Sequence, residues 1–183
     1  QQGITVVSGL ALGADGAAHR GAIAAGGHTV AVLACGLDTI YPASHRQLAI
    51  DLLKQGGTIL SEYPEGTPAL KQHFIARNRI VAALSDMVII TEAAENSGSL
   101  ITANYALEQN KLVGAVPGNI TSSLSAGTNN LIKTGATPIT SAQDVLDVLG
   151  FKAKEAARQE VFGDTKEEQI IIDIMKAGIT ELD

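Results

Sequence analysis

The residues best suited to chemistry lie within Lys71–Ala106. Phe74-x-x-Arg77-Asn78-Arg79-Ile80 sets two guanidinium groups and an amide in an apolar frame, with Lys71 and His73 just upstream. An apolar run follows. Then comes Ser97-Gly98-Ser99-Leu100-Ile101-Thr102, which reads as a strand emptying into a helix N-terminus rich in hydroxyls. Free N–H groups at a helix start bind anions, and serine hydroxyls add further donors. Guanidinium groups and such a terminus in one segment point to a phosphate ligand. Arg77 and Arg79 are two positions apart, so on a helix they diverge by about 200°. Both can face one pocket only if the helix starts late or the ligand wraps its end; otherwise one of them is structural and bonds loop carbonyls, a role open to Asn78 as well. At least one arginine is expected on the ligand.

Other strand-end loops carry the same signature. Ser8-Gly9-Leu10-Ala11-Leu12-Gly13-Ala14-Asp15 ends a strand in glycines, and Gly9 would let a ligand approach the backbone. Its spacing is not that of a dinucleotide fingerprint, and no P-loop lysine follows. Asp15 is expected as an N-cap, with His19 paired to it one turn on. Gly36 reads as a turn glycine on the same rim, and His45 and Arg46 start the next helix. Pro117-Gly118-Asn119 and Ser125-Ala126-Gly127-Thr128-Asn129 form a third donor-rich loop, whose helix is capped by Thr128 or Asn129. The plainer alternative for each loop is a well-capped helix with no ligand. Convergence on one sheet edge is more specific than any single loop. Cys35 has no adjacent base, so a nucleophilic role is not expected. Neither catalytic residues, metal ligands nor a cofactor is expected.

These loops need a scaffold. Apolar runs at Ile4–Ser8, Thr29–Ala34, Thr58–Ser61, Met87–Thr91, Leu112–Val116 and Thr137–Ile139 predict strands. Helical patterns at Asp15–Ala25, Ser44–Gln55, His73–Leu84, Ser99–Gln109, Asn129–Lys133 and Ala142–Leu149 separate or follow them. Strands alternating with helices imply an α/β fold with a Rossmann-like, doubly wound, mostly parallel sheet over residues 1–150. Ligands there bind at the carboxyl ends of the strands. Residues 151–164 read as a linker. Thr165–Ala177 reads as a capped amphipathic helix, with Glu168 completing the capping box.

The chain has 183 residues, 45% of them hydrophobic and 17% charged, with six Phe and Tyr and no Trp. Its net charge is −6, which argues against broad electrostatic coating of nucleic acid but leaves room for a local basic pocket. One cysteine cannot form an internal disulfide, so a cytoplasmic location is expected. No stretch is long and apolar enough for a membrane span, and no membrane partner is expected. The chain opens without Met, runs almost directly into a strand and stops just after a helix, and so reads as a fragment.

Taken in order, SGLALGADGAAHRGAI, AVLACGLDTIYP, ILSEYPEGTPALKQHFIARNRIVAALS, SGSLITANYALEQ, AVPGN and SAGTNNLIKTGA closely resemble the DNA-processing protein A family, also called DprA/Smf. The match runs over roughly Gly3–Leu149, and the ordered set is far more specific than any one motif. The resemblance implies a non-enzymatic protein with an extended Rossmann-like fold. It implies single-stranded DNA binding, protection of incoming DNA, loading of the RecA recombinase in natural transformation, and homodimers. The tail EEQIIIDIMKAGITELD is similar to the start of the family's C-terminal winged helix, here over residues 165–183. The family's earlier strand and Gly-Ser-Arg-like loop have no counterpart in this sequence. On this reading, N–H groups at Gly9, Gly98 and Gly118 hold successive phosphates. Lys71, Arg46 and Arg77 or Arg79 add charge, and Phe74 and Tyr41 are the local candidates for base stacking, with a place in the core as the alternative for either. Binding dominated by the backbone should be salt-sensitive and weakly sequence-selective.

Two rivals remain. Nucleotide-cleaving phosphoribohydrolases of the broader superfamily carry Pro-Gly-Gly-x-Gly-Thr-x-x-Glu; the corresponding loop here is Ser97-Gly98-Ser99-Leu100-Ile101-Thr102, without that Glu. A passive nucleotide-binding protein is the other. Competition between mononucleotide and oligonucleotide separates it from DNA binding.

Overall fold

A computed structural model describes residues 2–151, and the expected linker from residue 152 onward and the winged-helix start lie outside them. Six strands alternate with helices: β1 (Val6–Ser8), α1 (Ala14–Ala24), β2 (Thr29–Val32), α2 (Arg46–Lys54), β3 (Thr58–Leu60), α3 (Lys71–Ala83), β4 (Met87–Ile90), α4 (Gly98–Glu108), β5 (Leu112–Ala115), α5 (Ala126–Lys133), β6 (Thr137–Pro138) and α6 (Ala142–Val148). Short 3-10 turns lead into α2 and α5.

Every strand pairing is parallel, as crossover helices require. The sheet is divided. β1-β2-β3 form one three-stranded sheet and β4-β5-β6 another. Val7 lies opposite Val30 and Ala31 opposite Ile59 in the first; Val88 faces Val113 in the second. The free edges of β1 and β4 line one cleft and are not paired to each other.

Each half has its own core. Leu10, Ala31, Leu33, Leu48, Ala49 and Leu52 close the first, with Ile23 and Ile59 packed on them. Ala82, Val88, Ile90, Ala103, Ala106 and Val113 close the second. The second core relies on alanine where helix meets sheet, and α3 packs on α4 beside it. Close helix–sheet approach is what these small residues permit.

Several expected boundaries move by one to three residues. α3 begins at Lys71, with Leu70 in the capping position, which puts Lys71 in its first turn. α5 begins at Ala126, so Ser125 rather than Thr128 or Asn129 precedes it. Thr128 instead turns its hydroxyl back to the Ser125 carbonyl. α6 starts with a full capping box: Ser141 accepts from the Asp144 amide while the Asp144 carboxylate accepts from Ser141.

Candidate nucleic-acid interface at the strand ends

All the strand-end loops lie at the carboxyl side of a parallel strand, the edge where such sheets bind ligands. The first loop is tied down from three elements. Asp15 is not an N-cap; Gly13 holds that position. The Asp15 carboxylate reaches back and accepts from the amides of Gly9 and Ala11, both at 3.0 Å. His45 Nδ1 donates to the Leu10 carbonyl at 2.8 Å. Arg77 Nη1, from α3, donates to the Gly9 carbonyl at 2.8 Å and also to the Val32 carbonyl at the end of β2. The clamp holds Leu10, fully buried, at a φ of 61°, a left-handed conformation that a leucine rarely adopts.

The Gly9 amide is therefore occupied, which corrects the expectation that it is an open donor to phosphate. Gly9 is glycine for a steric reason: a Cβ there would sit 2.3 Å from the Arg77 guanidinium. The expected pairing of His19 with Asp15 is also absent. His19 Nδ1 lies 2.6 Å from the Thr29 hydroxyl, which donates onward to the Val6 carbonyl. That chain makes Nδ1 the protonated nitrogen and leaves Nε2 buried with no partner. Burial pushes the His19 pKa below its ordinary value, outweighing the attraction of Asp15.

Arg77 and Arg79 diverge as helix geometry demands. Arg77 is 3% exposed and spends its donors on carbonyls and on the Asn78 side chain. Its guanidinium lies 5.9 Å from the Phe74 ring centre, and desolvation draws its pKa downward. Arg79 is half exposed and pairs with Glu62 at the surface. Lys71 and Arg46 are exposed.

The cleft between the sheet edges, about 430 Å³, gathers Gly9, Phe74, Arg77, Asn78, Ser99 and Thr102. Its floor is apolar, from Val7 and the residues of β4, and Asp15 and Glu92 also line it. Two carboxylates beside a guanidinium already bound to carbonyls make it a poor anion trap. Ser97 lines a second hollow with Glu92, Glu95 and Leu124. Its hydroxyl caps α4 by accepting from the Ser99 amide. Gly98, in the first helical position, is exposed.

The remaining candidates stand apart from the cleft. Asn129 clamps Gly118 through both backbone groups at 3.1 Å, so the Gly118 amide is occupied too, against expectation. Pro117 is exposed beside it. Gly127 is buried where a Cβ would strike the carbonyls of Ala93 and Ala94. Gly36 is buried, its amide donating to Thr67 and its α-carbon facing the Pro64 carbonyl. The Asp15 tether has no distinctive sequence signal; an acid in the first turn after a glycine loop fits a cap equally well.

Cys35 is buried and its thiol contacts the Thr39 carbonyl at 3.3 Å; burial raises its pKa. No cluster of His, Cys, Asp or Glu suited to a metal occurs among the described residues. No helix among them is long and apolar enough to cross a membrane.

Comparison with known proteins fits this geometry to a family. Residues 1–150 match the DNA recombination-mediator protein A family. Protein Smf of Escherichia coli (strain K12) is 47% identical over 150 residues, 82% of this chain and 40% of its own length. DNA processing protein DprA of Streptococcus pneumoniae (strain ATCC BAA-255 / R6) is 48% identical over 143 residues, 78% of this chain and 50% of its own length. The chain thus spans half or less of these relatives. An X-ray structure of DprA from Streptococcus pneumoniae superposes with a TM-score of 0.73 at 47% identity, over 80% of this chain and 53% of that one. DNA processing protein A from Helicobacter pylori, described for its single-stranded DNA binding mode, superposes with a TM-score of 0.71 at 37% identity, over 79% of this chain and 65% of that one. With a family match over residues 1–150 and relatives this similar, the chain belongs to the DNA recombination-mediator protein A family.

Proposed function

We propose that this chain binds single-stranded DNA along the strand-end rim, with the exposed start of α3 as its charged centre. The observation that carries the reading is the likeness to the Helicobacter pylori protein described for single-stranded DNA binding. Lys71, Arg79 and Arg46 are the exposed cations on or beside the rim. They contact phosphates. Arg77 positions the Gly9 loop and Phe74 rather than meeting DNA itself. Phe74 and Tyr41, edge to face at 5.5 Å, offer rings to bases. The hydroxyls of Ser97, Ser99 and Thr102 and the Gly98 amide supply neutral donors. Asn78, Gly36, Pro117, Gly118, Gly127 and Asn129 shape the loops that the strand crosses.

In the whole protein, such binding protects incoming DNA and helps load the RecA recombinase during natural transformation, from a cytoplasmic homodimer. The family's designation as recombination mediators supports that role. The protein works by binding, without catalysis: the Ser97–Thr102 loop carries no carboxylate, and the thiol of Cys35 is buried with a raised pKa. The two carboxylates in the cleft weigh against a mononucleotide as its natural occupant.

Fluorescence anisotropy of a labelled thymidine oligonucleotide, with duplex DNA and a mononucleotide as competitors, tests the proposal. Binding that neither competitor displaces is expected. Displacement by the mononucleotide would transfer the site to a small ligand, and release of free base would revive hydrolysis.

A further inference from the structure

The chain has three Phe, three Tyr and no Trp. Among the described residues, no Phe or Tyr is one of the buried residues of either core, although Tyr105 packs against the second. Tyr41, Tyr63 and Phe74, half of the total, gather instead around the start of α3. Tyr63 and His73 stack there with ring centres 4.2 Å apart and planes 23° from parallel. Tyr41 meets Phe74 edge to face alongside. His73 and Phe74 are consecutive on the helix, so their side chains leave it about 100° apart. Each draws one tyrosine-bearing loop to its own side.

The Tyr63–His73 pair is held in place from below. His73 Nδ1 donates to the Pro68 carbonyl at 3.2 Å. The Tyr63 amide donates to the Ser61 hydroxyl at 3.0 Å, and that hydroxyl donates to the Cys35 carbonyl at 2.6 Å. The stack is thus anchored to the ends of β2 and β3. Both residues are half-buried, and Lys71 lies exposed within the same helical turn. Rings fixed in orientation at a partly exposed surface, beside a cation, suit unstacked nucleobases, whose π-faces pack on aromatics whatever the sequence.

We infer that Tyr63 and His73 form a nucleobase-stacking platform for single-stranded nucleic acid, separate from the one offered by Phe74 and Tyr41. The inference rests on the proposed function and assigns it a further pair of residues. The strand wraps the start of α3, with one base on each ring pair and the connecting phosphate near Lys71.

The test uses the full chain and labelled oligothymidylate. Affinity is measured for Tyr63→Ala, His73→Ala, Tyr63→Phe and His73→Phe, with thermal midpoints alongside. With no Trp present, tyrosine emission reports stacking directly. Each alanine variant should bind about tenfold more weakly, while His73→Phe retains affinity. Oligonucleotide should quench wild-type emission, and Tyr63→Phe should remove part of that quenching. Should the alanine variants unfold, the phenylalanine variants and the quenching decide. Wild-type binding with undiminished affinity in folded alanine variants, or with quenching unaltered by Tyr63→Phe, overturns the platform alone. Absence of wild-type binding overturns the proposed function beneath it.

Discussion

The Arg77 guanidinium crosses 68 positions of sequence to donate to the Gly9 carbonyl at 2.8 Å. A buried cation thereby joins α3 to the first strand-end loop and to the end of β2. Its charge serves the fold, and the neighbouring Arg79 is the one that faces solvent.

Removing this tie should cost stability before it costs binding. Arg77→Ala leaves the Gly9 and Val32 carbonyls short of a buried donor. A drop on the order of 2–4 kcal/mol is expected, read by urea denaturation. Arg77→Ala at wild-type stability would show the clamp to be dispensable.

Gly9→Ala should be destabilising for the same reason, because its Cβ meets the guanidinium at 2.3 Å. The two changes should be strongly non-additive. Once Arg77 is alanine, the clash is gone, and Gly9→Ala should add little. A double-mutant cycle that sums to simple additivity would contradict the contact.

Acid should loosen the same region through His19. Its folded pKa is lowered by burial from an ordinary value of 6.5, so the unfolded chain takes up the proton more readily. His19 therefore contributes stability that is fully present above about pH 6.5 and is lost as pH falls below that value towards its folded pKa. An imidazolium there would be repelled by Arg77 and His45, against partial attraction from Asp15. His19→Gln should flatten stability over this window. The Asp144 carboxylate, held low chiefly by hydrogen bonds from Thr140, loses its contribution only at more acid pH. An unchanged pH profile in His19→Gln would assign the acid sensitivity elsewhere.

Cys35 should be inert in the native state. It is 1% exposed and burial raises its pKa, so little thiolate reaches solvent. Labelling by a thiol reagent should track global unfolding across a denaturant series. Rapid modification of the folded chain would show that the loop after β2 opens independently.

Strand and helix alternation is legible because buried parallel strands such as Thr29–Val32 read as unbroken apolar runs. The helix period likewise separates Arg77 from Arg79 and marks one of them as structural. It cannot say which, since that depends on a carbonyl 68 residues away. Glycine misleads. Gly9 and Gly118 read as open backbone donors, but Asp15 and Asn129 occupy them, an outcome set by side chains that the same loops supply.

The most direct test of the central claim is the salt dependence of oligothymidylate binding in the wild type and in Lys71→Ala and Arg79→Ala. Phosphate binding along the exposed side of α3 predicts weaker affinity in both variants. The slope of log affinity against log salt should be shallower by about 0.7 for each phosphate-binding cation removed. Wild-type slopes and affinities in both would place the DNA elsewhere on the molecule.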